Sequence, residues 1–200
     1  MLRIKKEIRK IQMTDTLKII PLGGLGEIGL NMMAFEYDDA IIVVDCGLMF
    51  PEDYMLGIDI VIPDISYLKK NRAKVKAFII THGHEDHTGA IPFVLRDINV
   101  PIYATALTIG LIEEKLKEFD LQKSVVFETV RPRDRVSIGP FNVEFIRVCH
   151  SIADGCALAI TTPAGVVIHT GDFKMDQTPV DGEIMDYARF TEYGERGVLA

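Results

Sequence analysis

Five residues that can bind metal ions or exchange protons lie within six positions, directly after the apolar segment 78–81. They are His82, His84, Glu85, Asp86 and His87. Burying this many ionisable side chains without partners is costly, and metal ions held in a loop at the end of a strand remove that cost. Imidazole and carboxylate groups are ligands that suit zinc, and manganese also suits such a site. The cluster therefore predicts a metal site; the alternative is a surface group of histidines without a function.

The spacing within the cluster favours two neighbouring ions. His82 and His84 are two residues apart, so in an extended chain their side chains point to the same side and can reach one ion. After the turn at Gly83, Asp86 and His87 can face a second ion. The helical zinc-protease motif His-Glu-x-x-His is absent, since His84 and His87 are only three residues apart. The spacing alone indicates a hydrolytic site with two metal ions.

Two further candidate ligands follow later strands. The apolar segment 143–148 leads to His150, and the segment 166–170 leads to Asp172. Loops at strand ends commonly gather the residues of a site. By itself, each residue is more often a structural histidine or a turn aspartate. Beside the cluster at 82–87, we expect both to be metal ligands.

The elements that position these residues can be read from the apolar pattern. Strands are predicted at 17–21, 31–35, 40–45, 75–81, 100–104, 124–130, 142–148, 156–161 and 166–170, and helices at 65–70, 90–96 and 104–119. In the last helix Thr105 can cap the N-terminus. Its predicted apolar face consists of Leu107, Leu111, Ile112, Leu116 and Phe119. Strands come first and then mix with helices, an order that suits a layered α/β or α+β sandwich.

Composition and charge narrow the classes of protein. The 200 residues are 48% hydrophobic and 26% charged, which is typical of a globular protein of one domain or slightly more. Neither a membrane-spanning run of apolar residues nor a secretory signal is present, and three scattered cysteines do not form a disulfide framework. We therefore expect a cytoplasmic protein. The net charge is −7, but residues 1–13 carry +4 and the remainder −11, so an RNA-contacting arm and a solvated tail are the alternatives for the N-terminus.

Further motifs accompany the histidine cluster along nearly the whole chain. They are GGLGEIG at 23–29, DCG at 45–47, FPED at 50–53, GID at 57–59, IPD at 62–64, THGHEDH at 81–87 and HTGDFK at 169–174. With the lone His150 and with Asp172, this set resembles the bacterial ribonuclease J family, a beta-CASP family of the metallo-β-lactamase superfamily. The resemblance implies an α/β (α+β) fold, the four-layer αββα sandwich of that superfamily, incomplete in this chain.

The resemblance also implies roles for single residues. His82, His84 and His150 would hold one zinc ion, Asp86 and His87 the other, and Asp172 would bridge both. Asp45 matches an aspartate that supports the histidine loop from behind the ligands. Asp86 would in addition orient the attacking water or take its proton. No residue is assigned to substrate binding.

The function implied is zinc-dependent hydrolysis of RNA phosphodiester bonds. The family acts as a 5′-to-3′ exonuclease, also as an endonuclease, in RNA processing, rRNA included, and decay. RNA would be the partner, with no membrane, and the complete protein would be a homo-oligomer. The alternatives are another hydrolase of the superfamily, acting on DNA, a thioester or a lactone, and a catalytically inactive metal-binding fragment.

The resemblance further predicts how the chain is divided. Residues 1–15 would be a basic tail and residues 16–200 the N-terminal portion of the metallo-β-lactamase domain. The beta-CASP insertion, a late histidine that completes the second zinc site and the C-terminal region do not occur in these residues. We therefore expect tight zinc binding at His82, His84 and His150, weak binding of a second ion, and self-association.

Three remaining features have two interpretations each. The glycine-rich segment 23–29 is either a tight structural turn or a loop whose amides approach phosphate, but it is no P-loop. His169 either packs on its strand or fills the incomplete zinc site. Cys149 is either a metal ligand or a core cysteine. It adjoins His150 and should point to the opposite face of the strand, which favours the core cysteine.

Overall fold

The computed structural model describes residues 16–200, and the basic tail predicted at residues 1–15 lies outside the described residues. The strands are β1 Lys18–Gly23, β2 Met32–Tyr37, β3 Ala40–Val44, β4 Val75–Ile79, β5 Ile102–Ala104, β6 Phe127–Thr129, β7 Arg135–Ile138, β8 Phe141–Arg147, β9 Cys156–Thr162 and β10 Gly165–His169. The helices are α1 Ser66–Lys70, α2 Glu85–Thr88, α3 Ile91–Val94, α4 Ala106–Glu118 and α5 Tyr187–Arg196, with a short 3-10 helix at Arg72–Lys74.

The first sheet contains six strands in the order β1-β2-β3-β4-β5-β6. The pairs β1–β2 and β2–β3 are antiparallel, and β3, β4, β5 and β6 run parallel. Strand β3 is apolar throughout and every residue in it is buried, as expected for a strand covered on both faces. The parallel strands bring their carboxyl ends to one edge of the sheet, where the candidate site begins.

The second sheet contains four antiparallel strands in the order β10-β9-β8-β7. Strand β8 alternates in the way that a two-faced strand requires. Phe141, Val143 and Phe145 pack against side chains of the first sheet, including Phe35 and Ile42. The two sheets therefore lie face to face around a shared apolar core.

Helices cover both outer faces. On the first sheet, α1, α3 and α4 contribute Leu68, Val94 and Ile112 to a second apolar cluster. On the second sheet, Tyr193 of α5 packs with Ile146 of β8. The order helix, sheet, sheet, helix confirms the predicted αββα sandwich.

Helix α5, which was not predicted, is held on the second sheet by polar and aromatic contacts together. Arg189 donates hydrogen bonds to the buried carboxylate of Glu144 on β8, and the Tyr193 hydroxyl donates to the same carboxylate at 2.7 Å. The Asp186 side chain accepts a hydrogen bond from the Arg189 amide and caps the helix. Phe190 and Tyr193 also pack into the apolar cluster on this face of the second sheet, so α5 has an amphipathic pattern that sequence analysis missed.

All nine predicted strands are present, with ends shifted by a few residues, and β7, α2 and α5 are additional. Strand β7 has only the alternating sequence Arg-Val-Ser-Ile and is defined by its register with β8 across the turn at Gly139. Helix α2 spans four residues, too few for a periodic pattern. Such elements depend on their partners more than on their own sequence.

The predicted apolar face of α4 was partly wrong. Ile112 and Leu116 are buried, but Leu107 and Leu111 are 40% and 42% exposed, and Ile109 lies in the core instead. Thr105 is the N-cap residue, yet its hydroxyl donates to the Thr108 hydroxyl rather than accepting a backbone hydrogen bond. Within residues 16–200, no helix has the length and apolar character needed to cross a bilayer.

Candidate metal centre

The candidate ligands lie where strands of both sheets end. Strand β4 leads through Ile80 and Thr81 to His82, and β8 and β10 lead to His150 and Asp172. The amide of Cys156, the first residue of β9, donates to the Thr81 carbonyl at 2.9 Å. This hydrogen bond joins the second sheet to the histidine loop, so ligands from both sheets meet at one point.

Three histidines form the first group of potential ligands. The ligand atoms of His82, His84 and His150 all lie within 4.8 Å of one another. His82 Nε2 is 3.0 Å from His84 Nδ1, and the ring centroid of His150 is 4.9 Å from those of both other rings. The structure thus brings together the three residues that were predicted to share one ion.

Asp172 stands between this group and a second one. Its Oδ2 is 3.6 Å from His150 Nε2 and equally 3.6 Å from His87 Nε2. The second group, with ligand atoms within 4.8 Å of one another, consists of His82, His87 and Asp172. Asp172 therefore lies within reach of both groups, and its role as a bridging ligand stays a prediction.

Asp86 lies at the edge of the second group. Its Oδ2 is 3.6 Å from His87 Nε2, but among the described residues it belongs to neither group of three. Its side chain is 33% exposed, in contrast to the buried His87. Asp86 is therefore near the predicted second ion and open to solvent.

Asp45 supports the site from behind. Its carboxylate accepts hydrogen bonds from the amide of Thr81 at 2.8 Å and from the hydroxyl of the same residue. His87 Nδ1 lies 2.8 Å from Asp45 Oδ2, which directs the Nε2 atom of the ring toward Asp172. The position of Asp45 agrees with the supporting role predicted for it.

The electrostatics of the first group suit metal binding. Burial and the neighbouring imidazoles lower the pKa of His82 to about 3. Burial also lowers the pKa of His150. Both rings are therefore neutral near pH 7 and offer lone pairs, which is the form in which histidine binds a metal.

His87 differs because it faces carboxylates. Burial opposes its protonation, but the charge and hydrogen bond of Asp45, with Asp86 and Asp172, raise its pKa to about 9. The same contact holds the pKa of Asp45 below its usual value despite complete burial. An ion at Nε2 must displace the proton there, so binding at this position is expected to weaken as the pH falls.

A strand-end segment fixes the short helix that carries Asp86 and His87. The amide of Leu48 donates to the Glu85 carbonyl at 3.1 Å, and the amide of Cys46 donates to the His87 carbonyl at 2.8 Å. Between them, a Cβ at Gly47 would lie 1.6 Å from the Asp86 carbonyl oxygen. Only glycine permits this approach, which gives the DCG motif a structural reason.

Two residues of the site were missed by sequence reasoning. Asn31 contacts Asp86 and His87 through its side-chain amide, and the Thr81 hydroxyl contacts Asp45 and lies 3.0 Å from His82 Nδ1. Asn31 was read only as the start of a strand. Its place two residues after the GGLGEIG motif was the one available signal.

Neither His169, at the end of β10, nor Cys149, just after β8, belongs to the two ligand groups. His169 Nδ1 accepts the Gly171 amide hydrogen, and its ring packs edge-on against Phe35. Cys149 is buried in the cluster beneath α5, on the opposite face from His150, as predicted.

The comparisons with known proteins agree with this geometry. The family model described as the metallo-beta-lactamase superfamily matches residues 25–184. Relatives named ribonuclease J are 52% identical over 188 residues in Synechocystis sp. (93% of this chain, 29% of the relative), 49% over 185 residues in Helicobacter pylori strain 26695 (92% and 27%), and 45% over 192 residues in Thermus thermophilus (92% and 34%). The chain thus spans about a third or less of the length of these relatives.

Two solved structures share the fold at low sequence identity. A protein of unknown function from Enterococcus faecalis V583 has a TM-score of 0.60 at 22% identity, covering 80% of this chain and 44% of that one. The metallo-beta-lactamase fold protein YhfI from Bacillus subtilis has a TM-score of 0.56 at 20% identity, covering 81% and 64%. The family match over most of the chain, on a four-layer sandwich with this arrangement of histidines, shows that the chain belongs to the metallo-β-lactamase superfamily.

Proposed function

We propose that this chain provides the metal centre of a ribonuclease that hydrolyses RNA phosphodiester bonds with two zinc ions. The observation that carries the proposal is the meeting of two ligand groups at one point, with Asp172 Oδ2 at 3.6 Å from both His87 Nε2 and His150 Nε2. In this proposal His82, His84 and His150 hold one ion, His87 and Asp86 hold the other, and Asp172 bridges them.

The donor set fits such a pair of ions. His82 Nε2 lies 3.0 Å from His84 Nδ1, a separation at which two imidazole nitrogens can share one cation. When bound, two divalent ions lower the pKa of a shared water and stabilise the charge on a phosphoryl oxygen.

The residues of the chain supply position and proton transfer. The Asp45 carboxylate and the Thr81 hydroxyl fix the rings of His87 and His82 from behind. We assign the water-orienting and proton-accepting role to Asp86, because its partly exposed carboxylate lies 3.6 Å from His87 Nε2, while Asp172, the other exposed carboxylate at that distance, is the proposed bridging ligand.

The RNA substrate is supported by the similarity to relatives named ribonuclease J, at 45–52% identity over at least 92% of this chain. We extend the proposal to 5′-to-3′ exonuclease action, with endonuclease action as a second mode, in RNA processing and decay in the cytoplasm. The acidic net charge of −7 does not oppose a polyanionic substrate, since two divalent ions add positive charge at the point of reaction.

The test is a nuclease assay on protein expressed from the whole gene. RNA labelled on a 5′-monophosphate is offered to the wild type, to Asp86→Ala and to the control Asp97→Ala, whose carboxylate only pairs with Lys69 on the surface. We expect labelled mononucleotide from the wild type and the control, and at least a hundredfold slower release from Asp86→Ala. Intact RNA in all three reactions, with metal bound, would contradict the RNA assignment and direct the next assays to DNA and thioesters.

A further inference from the structure

Asn31 makes more contacts to the candidate site than any role as a strand residue requires. Its side-chain Nδ2 lies 3.1 Å from the Asp86 carbonyl oxygen and 3.3 Å from Asp86 Oδ2. The same nitrogen is 3.1 Å from His87 Nε2. One amide group thus touches the backbone and the carboxylate of Asp86 and the ligand atom of His87.

The backbone of Asn31 is fixed as firmly as its side chain. Its amide donates to the Asp86 carbonyl at 3.1 Å, and its own carbonyl accepts from the Gly47 amide at 2.9 Å. The preceding Leu30 has a φ of 57°, a left-handed conformation that non-glycine residues rarely adopt. The left-handed conformation of Leu30 turns the chain so that Asn31 faces the site.

The glycine-rich segment makes room for the Asn31 side chain. A Cβ at Gly24 would lie 2.7 Å from Asn31 Oδ1 and 3.0 Å from Asn31 Cα. A Cβ at Gly26 would meet no atom within 4 Å, although the φ angles are similar, +82° at Gly24 and +75° at Gly26. The need for glycine at position 24 is therefore steric as well as conformational.

An amide is the side chain that this position can use. It has two N–H donors, and the carbonyl and carboxylate oxygens of Asp86 beside Nδ2 are acceptors. A hydrocarbon side chain would leave the carboxylate oxygen without this donor. The contact holds one oxygen of Asp86, which keeps the other available for an ion or a water molecule. A metal at His87 Nε2 would replace the amide contact there, and the two contacts to Asp86 would remain.

We infer that Asn31 is a positioning residue for the Asp86–His87 half of the metal centre, and that the glycine-rich segment admits its side chain rather than binding phosphate. The inference rests on the two-metal site of the proposed function. In this inference Asn31 orients Asp86. Loss of the Asn31 side chain should therefore weaken metal binding at His87 and leave the ion at His82, His84 and His150 in place.

The first experiment measures metal retention in protein expressed from the whole gene. The variants are Asn31→Ala, Asn31→Leu, which keeps the size of the side chain without its donors, and the control Asn142→Leu, whose exposed amide contacts only Ser137. All proteins are dialysed against graded concentrations of chelator. We expect both Asn31 variants to bind one of the two ions about ten- to a hundredfold more weakly than the wild type, and the control to bind both ions as the wild type does. Retention of the other ion shows that the variant is folded, because unfolding would release both.

A kinetic readout separates positioning from substrate binding. On labelled RNA, the Asn31 variants should show kcat reduced about ten- to a hundredfold with KM changed less than about twofold. If the metal contents differ as expected while no protein cleaves RNA, the positioning role stands and the substrate assignment is what fails. Equal chelator resistance in Asn31→Leu and Asn142→Leu would overturn the positioning role.

The second experiment compares Gly24→Ala with Gly26→Ala. Both substitutions place a Cβ on a left-handed backbone, so both carry similar conformational strain. Only Gly24→Ala displaces Asn31, and it should reproduce the metal loss and the reduced kcat of the Asn31 variants. Equal metal retention in the two alanine variants would overturn the role given to the glycine-rich segment.

Discussion

At the scale of single residues, Asp45 is the buried charge on which the orientation of His87 depends. It is 1% exposed and has a left-handed backbone, with a φ of 61°. A buried carboxylate is tolerated only where donors surround it, and here the Thr81 amide, the Thr81 hydroxyl and His87 Nδ1 do so. Removing this charge should disturb the orientation of the His87 ring more than it disturbs the fold.

We predict that Asp45→Asn lowers the affinity for the metal ion at His87 about ten- to a hundredfold and lowers the free energy of unfolding by roughly 1–3 kcal/mol. An asparagine amide has one acceptor oxygen, so either His87 or Thr81 loses its partner. Competition with a chromogenic chelator measures the affinity, and urea denaturation measures the stability.

The control for this substitution is Asp64→Asn. Asp64 is exposed and accepts a hydrogen bond from the Ser66 amide at 2.8 Å, away from the ligand groups. Equal metal affinities in the two asparagine variants would contradict the supporting role of Asp45.

Residue types along the chain pointed to the candidate ligands, and the family resemblance pointed to Asp45 behind them, but neither pointed to Asn31. His82, His84 and His87 stand out because three histidines in six positions are rare in a surface loop without a function, and the structure brings them together with His150 and Asp172. Asn31 gave no such signal, since a single asparagine at a strand start is ordinary. Its role depends on a left-handed turn and on a close approach, which composition and periodicity do not encode.

At the scale of elements, the position of α2 depends on its backbone contacts with the segment that follows β3. The two backbones touch at Gly47, whose amide hydrogen goes to Asn31 and whose α-carbon faces the Asp86 carbonyl. Four residues are too few for a helix to be stable by itself. Helix α2 therefore depends on this contact for its place.

We predict that Gly47→Ala lowers the free energy of unfolding by more than about 3 kcal/mol and abolishes retention of the ion at His87. The added Cβ would lie 1.6 Å from the Asp86 carbonyl oxygen, so the strand end and the helix must separate. Chemical denaturation and elemental analysis after gel filtration measure both effects.

Gly110→Ala is the matched control for this effect. Gly110 lies inside α4, where a Cβ would meet no atom within 4 Å, so alanine should raise stability by about 0.5–1 kcal/mol through helix propensity. Similar stabilities for the two alanine variants would show that the approach at Gly47 is not the constraint described.

The elements that could be predicted are those with a strong pattern of their own. Strand β3, with five buried apolar residues, and helix α4, with thirteen residues, were found from sequence. Helix α5 was missed because most of its residues are polar, although Phe190 and Tyr193 pack against the second sheet beside the Arg189–Glu144 ion pair. The error on α4 arose because Leu111 fits the helical period without lying in the core. Its Cδ1 lies against the histidine loop, 2.5 Å from the position that a Cβ at Gly83 would take.

At the scale of the whole molecule, apolar side chains are exposed around the metal centre. Ile28 and Phe50 are 90% and 69% exposed, and both line a cavity that Asp86 also borders. Met175 is 78% exposed after the loop that carries Asp172. Exposed surface of this kind often marks a contact with another chain or domain, so the self-association expected from sequence stays a prediction that sedimentation can check.

Three titratable groups in the described part of the chain affect its stability in opposite directions as the pH changes. Burial lowers the pKa of His82 to about 3, and hydrogen bonds from Arg189 and Tyr193 outweigh burial and lower the pKa of Glu144 to about 2. In the unfolded chain these groups take up protons at higher pH, so both contribute stability that is lost as the pH falls. His87 acts in the other direction, because its pKa is raised to about 9 and the folded chain holds the proton more tightly.

We predict that the metal-free protein is most stable near pH 6.5 and loses stability on either side. From pH 6.5 to 9, His87 gives up in the folded chain a proton that the unfolded chain has already lost, which costs roughly 3 kcal/mol. Below pH 6.5, His82 is protonated in the unfolded chain but not in the folded chain, which lowers the free energy of unfolding. Below about pH 4.5, Glu144 lowers it further for the same reason. Urea denaturation with chelator present, at pH values from 4 to 9.5, measures the profile. His87→Gln should remove the decline between pH 6.5 and 8 and keep the acid limb. Above pH 8 the buried Cys46 and Cys156 thiols, whose pKa values burial raises, add a loss of their own in both proteins. An equally steep decline between pH 6.5 and 8 in the variant would show that another group is responsible.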